Sequence, residues 1–470
     1  MDSFDLLVIG GGINGAAVAR DAAGRGLSVL LVEKDDLAAH TSSASSKLVH
    51  GGLRYLERYD FRLVRESLRE RETLLRTAPH IVRPLRFVLP DPPGGRPTWL
   101  LRAGLLLYDL LAGGSNLPRS RRLARGDEAA APLKPGFNLL DYWDAWVDDA
   151  RLVVLNALDA AERGAEIATR TELLSARRNG EAWTADLSGG RRVRAGAIVN
   201  AAGPWVAEVL HGRLGGAGRS RVRLVKGSHI LVPRLWDGDR AYILQQPDGR
   251  VVFALPWLGR TLLGTTDVPV ERPEDAAITA DETAYLCAAA NFYFRAQIAP
   301  ADLVWSYAGV RSLHDDGSAA AKDVTRDYRL ELDAAPGPRV LSIFGGKLTT
   351  ARALAEEALS RLGVGGTRWT AASPLPGGGR EPRGFGWLPK PMFARMSRAY
   401  GDRLDRLLQS AGSLTGLGRH FGAGLYEAEL RYLMEHEFAR TADDVLWRRT
   451  KLGLELTANQ RDELAVFMRS

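Results

Sequence analysis

Residues 5–15 read DLLVIGGGING, an apolar run that passes directly into a glycine-rich turn. The apolar residues 5–9 predict a buried strand, and the Ala-rich stretch 13–25 predicts a helix. Residues 27–32 are apolar again, so the three segments together predict one βαβ unit. A strand that leads through glycines into a helix N-terminus is typical of a turn that binds a dinucleotide pyrophosphate.

Gly10, Gly12 and Gly15 match the G-x-G-x-x-G pattern, which is weak alone but gains weight from its position between a strand and a helix. Glu33 ends the next strand about 20 residues further on, where a carboxylate binds the ribose hydroxyls of such cofactors. A carboxylate there favours an unphosphorylated ribose, which leaves FAD and NAD both open. The alternative is a tight turn without a ligand.

The 470 residues exceed what one hydrophobic core usually supports, so we expect two or three structural units. With 45% hydrophobic and 25% charged residues, the composition is that of a folded globular protein. The net charge of +7 is spread along the chain, which argues against nucleic acid as a partner. It suits an anionic substrate or an anionic membrane surface.

The single cysteine, Cys287, excludes an internal disulfide and a thiolate metal site, so we predict no metal and a reducing, cytosolic environment. Residues 1–5 lack the basic region of a signal peptide. Residues 99–111 form the most apolar long stretch but are too short to span a membrane. We interpret them as a buried helix in preference to a membrane-attachment surface.

Further along the chain, residues 148–174 predict a helix followed by a short strand at 166–169. Short alternating runs at 223–233, 241–246, 251–256 and 261–267 predict an antiparallel sheet that could form a wall of a substrate pocket. Residues 339–344 predict a strand that leads through Gly345 and Gly346 into a helix over 348–362. Beyond residue 375 apolar residues recur at helical spacing, which predicts a separate helical domain.

Residues 41–47 read TSSASSK and residues 50–55 read HGGLRY. Small hydroxyl side chains and glycines let the backbone approach a flat ring closely and donate hydrogen bonds to it. This pattern favours a flavin, while a solvated Ser-rich loop is the alternative.

At this point the sequence resembles the aerobic, FAD-dependent glycerol-3-phosphate dehydrogenases of the D-amino-acid-oxidase-like superfamily. The likeness covers nearly the whole chain. It rests on residues 5–33, 41–65, 146–152 (WVDDARL), 200–205 (NAAGPW), 226–229 (KGSH), 264–267 (GTTD), 344–350 (FGGKLTT), 426–430 (YEAEL) and 442–450 (ADDVLWRRT).

The resemblance implies a mixed α/β fold with a Rossmann-like FAD-binding domain, an inserted antiparallel-sheet substrate domain and a C-terminal helical cap domain. We assign residues 1–75, 146–221 and 315–372 to the FAD-binding domain. The substrate domain would take 76–145 and 222–314, and the cap 375–470.

The resemblance also implies which residues bind FAD. These are Gly10, Gly11, Gly12, Asn14, Gly15, Glu33, Lys34, Thr41, Ser42, Ser43, Ser45, Ser46, Lys47, Gly51, Gly52, Ala202, Gly203, Trp205, Gly346, Lys347, Leu348 and Thr349.

The implied reaction is the oxidation of glycerol 3-phosphate to dihydroxyacetone phosphate, with hydride passing to the flavin. The dianionic phosphate needs fixed positive charge, for which Arg54, Arg311 and Lys347 are candidates in loops beside glycines. His50 and His229 are the candidate catalytic bases, with His50 preferred, and either could instead be structural. The substrate-binding set is Arg54, Tyr55, His229, Thr266, Arg311 and Lys347, and the catalytic set is His50, His229, Arg54, Arg311 and Lys347.

Family members pass electrons to a membrane quinone and attach to the inner face of the bacterial membrane, so the resemblance implies both and leaves a homodimer open. Two other functions remain open. The first is a related flavin oxidase that uses oxygen or acts on another 2-hydroxy acid or amino acid. The second is a catalytically silent flavoprotein that acts as a sensor or scaffold, against which the candidate base and phosphate-binding groups argue.

Overall fold

The computed structural model describes residues 1–92, 97–124, 126–216, 222–314, 327–333, 336–409 and 411–469, without the side chains of Arg54, Glu57, Arg58 and His314. The strands are β1 Asp2–Ile9, β2 Val29–Glu33, β3 Leu48–Val49, β4 Val82–Asp91, β5 Arg121–Arg122, β6 Asn138–Val147, β7 Glu166–Thr169, β8 Leu173–Asn179, β9 Ala182–Leu187, β10 Arg192–Asn200, β11 Val222–Val232, β12 Ala241–Gln245, β13 Val251–Trp257, β14 Arg260–Gly264, β15 Val268–Pro269, β16 Trp305–His314, β17 Arg329–Asp333, β18 Val340–Phe344, β19 His420–Gly422 and β20 Leu425–Tyr426. The helices are α1 Ile13–Gly24, α2 Phe61–Thr77, α3 Thr98–Ala112, α4 Asp149–Glu162, α5 Val206–Glu208, α6 Ala280–Tyr293, α7 Ala351–Arg361, α8 Lys390–Tyr400, α9 Leu404–Leu408, α10 Glu427–His436 and α11 Ala458–Phe467.

The first sheet holds the predicted nucleotide-binding unit. Its strand order is β17-β18-β10-β1-β2-β7, and the strands from β18 to β7 pair in parallel. Helices α1, α4 and α7 pack on one face through a continuous apolar core. The glycine turn after β1 therefore lies at the carboxyl ends of parallel strands, which is where such sheets bind nucleotides.

The second sheet, with strand order β15-β11-β14-β13-β12-β4-β6-β3, is mainly antiparallel, and β16 pairs with β11 along its whole length. One face packs against α6, and the other packs against α2 and α3. The predicted antiparallel sheet is thus present. The strand predicted at 261–267 ends at Gly264, and Thr265 and Asp267 beyond it line the cavity between the sheets.

Residues beyond 375 form a unit with its own core, built mainly from helices and completed by the short hairpin of β19 and β20. Buried ion pairs attach this unit to α4 and to the loop after β2. Arg151 of α4 pairs with Glu437, and Arg449 donates to Asp36 at 2.8 Å. The fold class is therefore confirmed. The domain boundaries stay our proposal, and β3 lies in the second sheet although its residues fall in the first predicted segment.

The helix α3 corrects one interpretation made from the sequence. Its inner side buries Leu105 and Tyr108, but Trp99 is 71% exposed, Leu106 47% and Leu110 76%. The stretch is therefore an exposed apolar helix and not a buried one, because the second sheet covers only one side of it. No helix in the described part of the chain is long and apolar enough to span a membrane.

Candidate active site

A cavity of about 1230 Å³ lies between the two sheets and begins at the glycine turn. This volume exceeds the range of roughly 300–1,000 Å³ that is usual for a site holding one small ligand. The cavity therefore has room for a large cofactor together with a smaller substrate.

The glycine turn is shaped by backbone packing. Gly10 has a φ of +108°, and a Cβ there would lie 2.6 Å from the carbonyl oxygen of Ala201. A Cβ at Gly15 would lie 1.9 Å from the carbonyl oxygen of Gly10, so side chains are excluded at both positions. The absence of side chains lets a ligand approach the backbone closely at the N-terminus of α1, where the helix end stabilises a pyrophosphate.

Glu33 closes the turn from the side. Its carboxylate accepts hydrogen bonds from the backbone N–H of Gly11 at 2.6 Å and of Asp35 at 2.8 Å. Burial raises the pKa of this carboxyl, while the two backbone N–H groups oppose the rise. Because Glu33 also lines the cavity, its remaining lone pairs can accept from ribose hydroxyls.

Asn14 connects the first glycine turn to the second one. Its Nδ2 donates to the carbonyl of Gly345 at 3.0 Å, while its buried Oδ1 has no partner among the described residues. Gly346 has a φ of +103°, and a Cβ there would meet the Asn14 amide at 2.7 Å. The two turns therefore form one continuous binding surface, on which Asn14 Oδ1 has no hydrogen-bond donor among the described residues.

The hydroxyl-rich segment is fixed by its own side chains. Ser42 Oγ accepts from the N–H of Ile13 at 3.0 Å, and Thr41 Oγ1 donates to the carbonyl of Val310 at 2.6 Å. Ser45 and Lys47 both donate to Asp149 at 2.7 Å. The segment therefore presents a rigid wall, because most of its polar side chains are already paired within the fold.

His229 lies in β11, where it is buried, lines the cavity and contacts the hydroxyl-rich segment. Its Nε2 lies 2.9 Å from Ser46 Oγ, and its ring stacks on Tyr307 with the centroids 4.7 Å apart. Burial, then the charges of Lys47 and Arg311, hold the pKa of His229 well below its usual range. The imidazole is therefore neutral at physiological pH.

Two cationic groups, Lys347 and Arg311, line the cavity. Lys347 Nζ lies 4.1 Å from the ring centroid of Tyr55 and has no hydrogen-bond partner among the described residues. Arg311 donates to Asp267 and, at 3.1 Å, to Thr265 Oγ1. Arg311 lies within β16 and not in a loop as the sequence indicated, since β16 pairs with β11 through this position.

Most of the predicted site residues line this one cavity. Those on its lining are Gly10, Gly12, Asn14, Glu33, Lys34, Thr41, Ser42, Ser45, Ser46, His50, Gly52, Tyr55, Ala202, Gly203, Trp205, His229, Arg311, Gly346, Lys347, Leu348 and Thr349. The side chain of Arg54 lies outside the described residues.

Six predicted residues stand off the lining: Gly11, Gly15, Ser43, Lys47, Gly51 and Thr266. Lys47 points to Asp149, and Thr266 Oγ1 donates to Glu282 at 2.7 Å on the far side of β11. Thr265 takes the place on the lining that we had assigned to Thr266, and sequence spacing alone could not decide between adjacent threonines. Asp267, which pairs with Arg311, was in the same quoted motif and was missed.

Comparisons with known proteins agree with this arrangement. Residues 5–358 match the model of the FAD dependent oxidoreductase family, and residues 342–468 match that of the C-terminal domain of alpha-glycerophosphate oxidase. The glycerol-3-phosphate dehydrogenase of Pseudomonas aeruginosa is 51% identical over 99% of this chain and 95% of its own length. The D-erythritol 1-phosphate dehydrogenase of Brucella abortus is 50% identical over 98% of this chain and 96% of its own.

Among solved structures, the glycerol-3-phosphate dehydrogenase from Bacillus halodurans, complexed with FAD, superposes with a TM-score of 0.73. It is 25% identical, and the match covers 99% of this chain and 94% of that one.

Proposed function

Since this chain belongs to the FAD-dependent oxidoreductase family and FAD is its cofactor, we propose that it oxidises sn-glycerol 3-phosphate to dihydroxyacetone phosphate. The resemblance drawn from the sequence motifs is thereby confirmed at the level of the family. The substrate is supported by the 51% identical relative that carries this activity in its name.

The observation that carries the proposal is the ammonium of Lys347 at the cavity wall, which has no hydrogen-bond partner in the part of the chain that the structure describes. A charged group away from water is costly unless an anion compensates it. A substrate phosphate supplies that anion, and Arg311, also on the cavity lining, adds a second fixed cation. Arg54 stays a proposed third contact on the strength of the sequence.

We assign the base that takes the proton of the C2 hydroxyl to His50. A general base works best when its pKa lies near the working pH, and the depressed pKa of His229 makes that imidazole a weaker base. His50 lines the cavity beside Phe253, with the ring centroids 6.2 Å apart. His229 then orients Ser46 and the hydroxyl-rich segment.

The residues fit FAD as the group that occupies the rest of the cavity. The two glycine turns leave no room for side chains at Gly10, Gly15 and Gly346. Asn14 Oδ1 has no donor among the residues that the structure describes, and the remaining lone pairs of Glu33 can accept further hydrogen bonds. Near Glu33, the ammonium of Lys34 lies 3.8 Å from the ring centroid of Trp205. These two side chains close that end of the cavity. When bound, FAD supplies the hydride acceptor that the reaction needs, since no side chain of the protein can do so.

D-erythritol 1-phosphate is the second candidate substrate, because a relative named for its oxidation is nearly as similar as the first. Both compounds carry a terminal phosphate next to a secondary alcohol. The same cations and base therefore serve either one, and the difference lies in the space available beyond the reacting carbon.

We further propose that a membrane quinone accepts the electrons and that α3 attaches the protein peripherally to the inner face of the bacterial membrane. Trp99, Leu106 and Leu110 give α3 an exposed apolar side, and Arg102 is exposed on the same helix. An interfacial helix combines apolar and basic residues in this way to lie on an anionic bilayer.

The decisive experiment is the visible absorption spectrum of the purified holoenzyme before and after anaerobic addition of glycerol 3-phosphate. We expect the flavin absorption to bleach, and parallel addition of D-erythritol 1-phosphate ranks the two substrates. Turnover with a quinone analogue should exceed turnover with oxygen alone. If the flavin keeps its colour with glycerol 3-phosphate and with D-erythritol 1-phosphate, the proposal is overturned. If oxygen alone supports turnover as fast as the quinone analogue does, and hydrogen peroxide forms, the protein is an oxidase instead.

A further inference from the structure

A second, smaller cavity of about 300 Å³ lies between the hydroxyl-rich segment, β16 and the C-terminal unit. Ser43 and Lys47, which were predicted to bind FAD but stand off the first cavity, both line this second one. Thr41, Ala44 and Gly309 line both cavities, so the two share a wall. Sites for small molecules begin at roughly this volume. The second cavity can therefore hold one small ligand beside the FAD-binding cavity.

Four aromatic side chains in contact with one another lie on the lining of the second cavity: Trp257, Trp305, Tyr307 and Trp447. The ring of Trp305 stacks on that of Trp447, with the centroids 5.1 Å apart and an angle of 10° between the planes. The Trp257 centroid lies 5.9 Å from that of Trp305 on the same wall. Aromatic surfaces of this kind favour contact with another planar group. The lining therefore suits a flat, apolar ligand body.

Lys451 brings a positive charge to the same cavity. Its side chain is only 9% exposed, and its ammonium donates one hydrogen bond, to the carbonyl of Trp447 at 2.8 Å. The carboxylate of Asp148 lies 3.8 Å away, which is beyond hydrogen-bond distance. An ammonium has three N–H groups, so two of them have no acceptor among the described residues. A buried donor in this position needs an acceptor from a ligand or from water.

The ion pairs around Lys451 leave one positive charge in excess. In the described part of the chain they join five basic side chains, Arg170, Arg448, Arg449, Lys47 and Lys451, to four carboxylates, Asp36, Asp148, Asp149 and Asp444. One excess cation away from water is best compensated by a single negative charge. A carboxylate supplies that charge, whereas a phosphate ester brings about two charges near neutral pH.

We propose that the second cavity binds a small planar monocarboxylate, whose carboxylate accepts from the Lys451 ammonium and whose flat body lies against the tryptophans. This site is separate from the proposed substrate site and does not depend on which polyol phosphate is oxidised. The shared wall is tightly packed, since a Cβ added at Gly309 would lie 2.7 Å from the Cβ of Ala44. A ligand in the second cavity therefore alters the surroundings of FAD, and its binding should change the visible spectrum of the flavin.

The test uses 2-naphthoate as the probe, with 2-naphthamide as the matched ligand that has the same rings but no charge. Isothermal titration calorimetry on the oxidised holoenzyme should show that 2-naphthoate binds at least about ten-fold more tightly than 2-naphthamide. The visible spectrum of the flavin should change in parallel with the heat as the second cavity fills.

Two variants locate the binding site. Lys451→Met removes the ammonium, and Ala276→Leu fills the cavity from the loop before α6 while it keeps the ammonium. Each should weaken 2-naphthoate binding at least about ten-fold, while anaerobic bleaching by glycerol 3-phosphate stays within about two-fold. Lys347→Met, in the first cavity, and the exposed Lys390→Met should bind 2-naphthoate as the wild type does. Flavin per chain checks that each variant is folded.

Absence of 2-naphthoate binding to the wild type would overturn the proposal, and so would equal binding to wild type, Lys451→Met and Ala276→Leu. A loss confined to Lys347→Met would place the carboxylate in the substrate cavity and would overturn it as well. If glycerol 3-phosphate does not bleach the wild-type flavin, the proposed function fails, whereas calorimetry on the oxidised protein still decides whether the second cavity binds a carboxylate.

Discussion

The hydroxyl of Tyr108 accepts a hydrogen bond from the backbone N–H of Gly51 at 2.7 Å. The same hydroxyl donates to the carboxylate of Asp144 at 2.8 Å, and Asp144 is held in turn by Arg71 at 2.8 Å. Burial raises the pKa of Asp144, and the charge of Arg71 is the main influence that opposes the rise. A buried network thus fixes the backbone next to His50, and it reaches that backbone from α3.

Replacing Tyr108 with phenylalanine should lower kcat/KM for glycerol 3-phosphate by about ten-fold, because the buried N–H of Gly51 loses its acceptor and His50 loses its position. Steady-state kinetics with a dye acceptor measure this effect. If His50 is the group that is displaced, kcat should fall more than KM rises.

Tyr242→Phe provides the control for this variant. The Tyr242 hydroxyl donates to the carbonyl of Ala129 at 2.9 Å on the other face of the second sheet. Both variants should lose about 1 kcal/mol of unfolding free energy, but only Tyr108→Phe should lose activity. Equal kinetic losses in the two variants would mean that the Tyr108 hydroxyl only stabilises the fold.

The helix that carries Tyr108 illustrates where the sequence was informative and where it was not. The strand, glycine turn and helix at residues 2–24 follow from local pattern alone, since the chemistry of the turn needs these residues at this spacing. For α3 the composition indicated a buried helix, yet the structure covers only the side that holds Leu105 and Tyr108. Which side of an apolar helix is covered depends on distant strands, and no local pattern reports that.

The site shows the same division. His50, His229, Arg311 and Lys347 line one cavity as expected. Lys47 instead pairs with Asp149, which is distant in sequence and was not singled out. Asp144 was missed because it lies in no recognisable motif. Its importance comes from what the fold places beside it, the hydroxyl of Tyr108 and the backbone N–H of Gly51.

Replacing Lys347 with methionine should raise the KM for glycerol 3-phosphate by about 10- to 100-fold, because a charge-assisted contact to the phosphate is removed. FAD content should stay close to that of the wild type, and it is measured from the visible absorption per chain. Lys390→Met, at an exposed position at the start of α8, is the control. A normal KM for glycerol 3-phosphate in Lys347→Met would mean that another cation binds the substrate phosphate.

Gly10→Ala should yield protein without FAD. The added Cβ would lie 2.6 Å from the Ala201 carbonyl and would displace the turn that has to receive the pyrophosphate. Gly26→Ala is a matched control, since Gly26 also has a positive φ, +87°, but nothing lies within 4 Å of the added Cβ. Both variants bear a backbone strain of about 1 kcal/mol, so a difference in flavin per chain isolates the close approach. Equal flavin content in the two proteins would contradict this explanation.

His80 should make the stability of the protein depend on pH. Burial and the charge of Arg151 lower its pKa from the ordinary 6.5 to about 3. Between these two values the unfolded chain binds a proton that the folded protein does not, so the free energy of unfolding falls as the pH is lowered through this window. The slope from this group is at most about 1.4 kcal/mol per pH unit, and above pH 6.5 the contribution is constant.

Urea denaturation of wild type and His80→Asn at about pH 5 and about pH 8 should give a smaller pH-dependent loss of unfolding free energy in the variant. If both proteins lose the same unfolding free energy between these pH values, other groups cause the pH dependence.

The exposed side of α3 should determine vesicle binding. Trp99 and Leu110 are 71% and 76% exposed, and inserting them into a bilayer removes apolar surface from water. Replacing both with serine should weaken binding to vesicles of anionic and zwitterionic lipid by at least about ten-fold, as measured by co-sedimentation. Met434→Ser with Val466→Ser, at exposed apolar positions of the C-terminal unit, is the control and should bind as the wild type does. If the two double variants bind equally well, the bilayer contacts another surface of the protein.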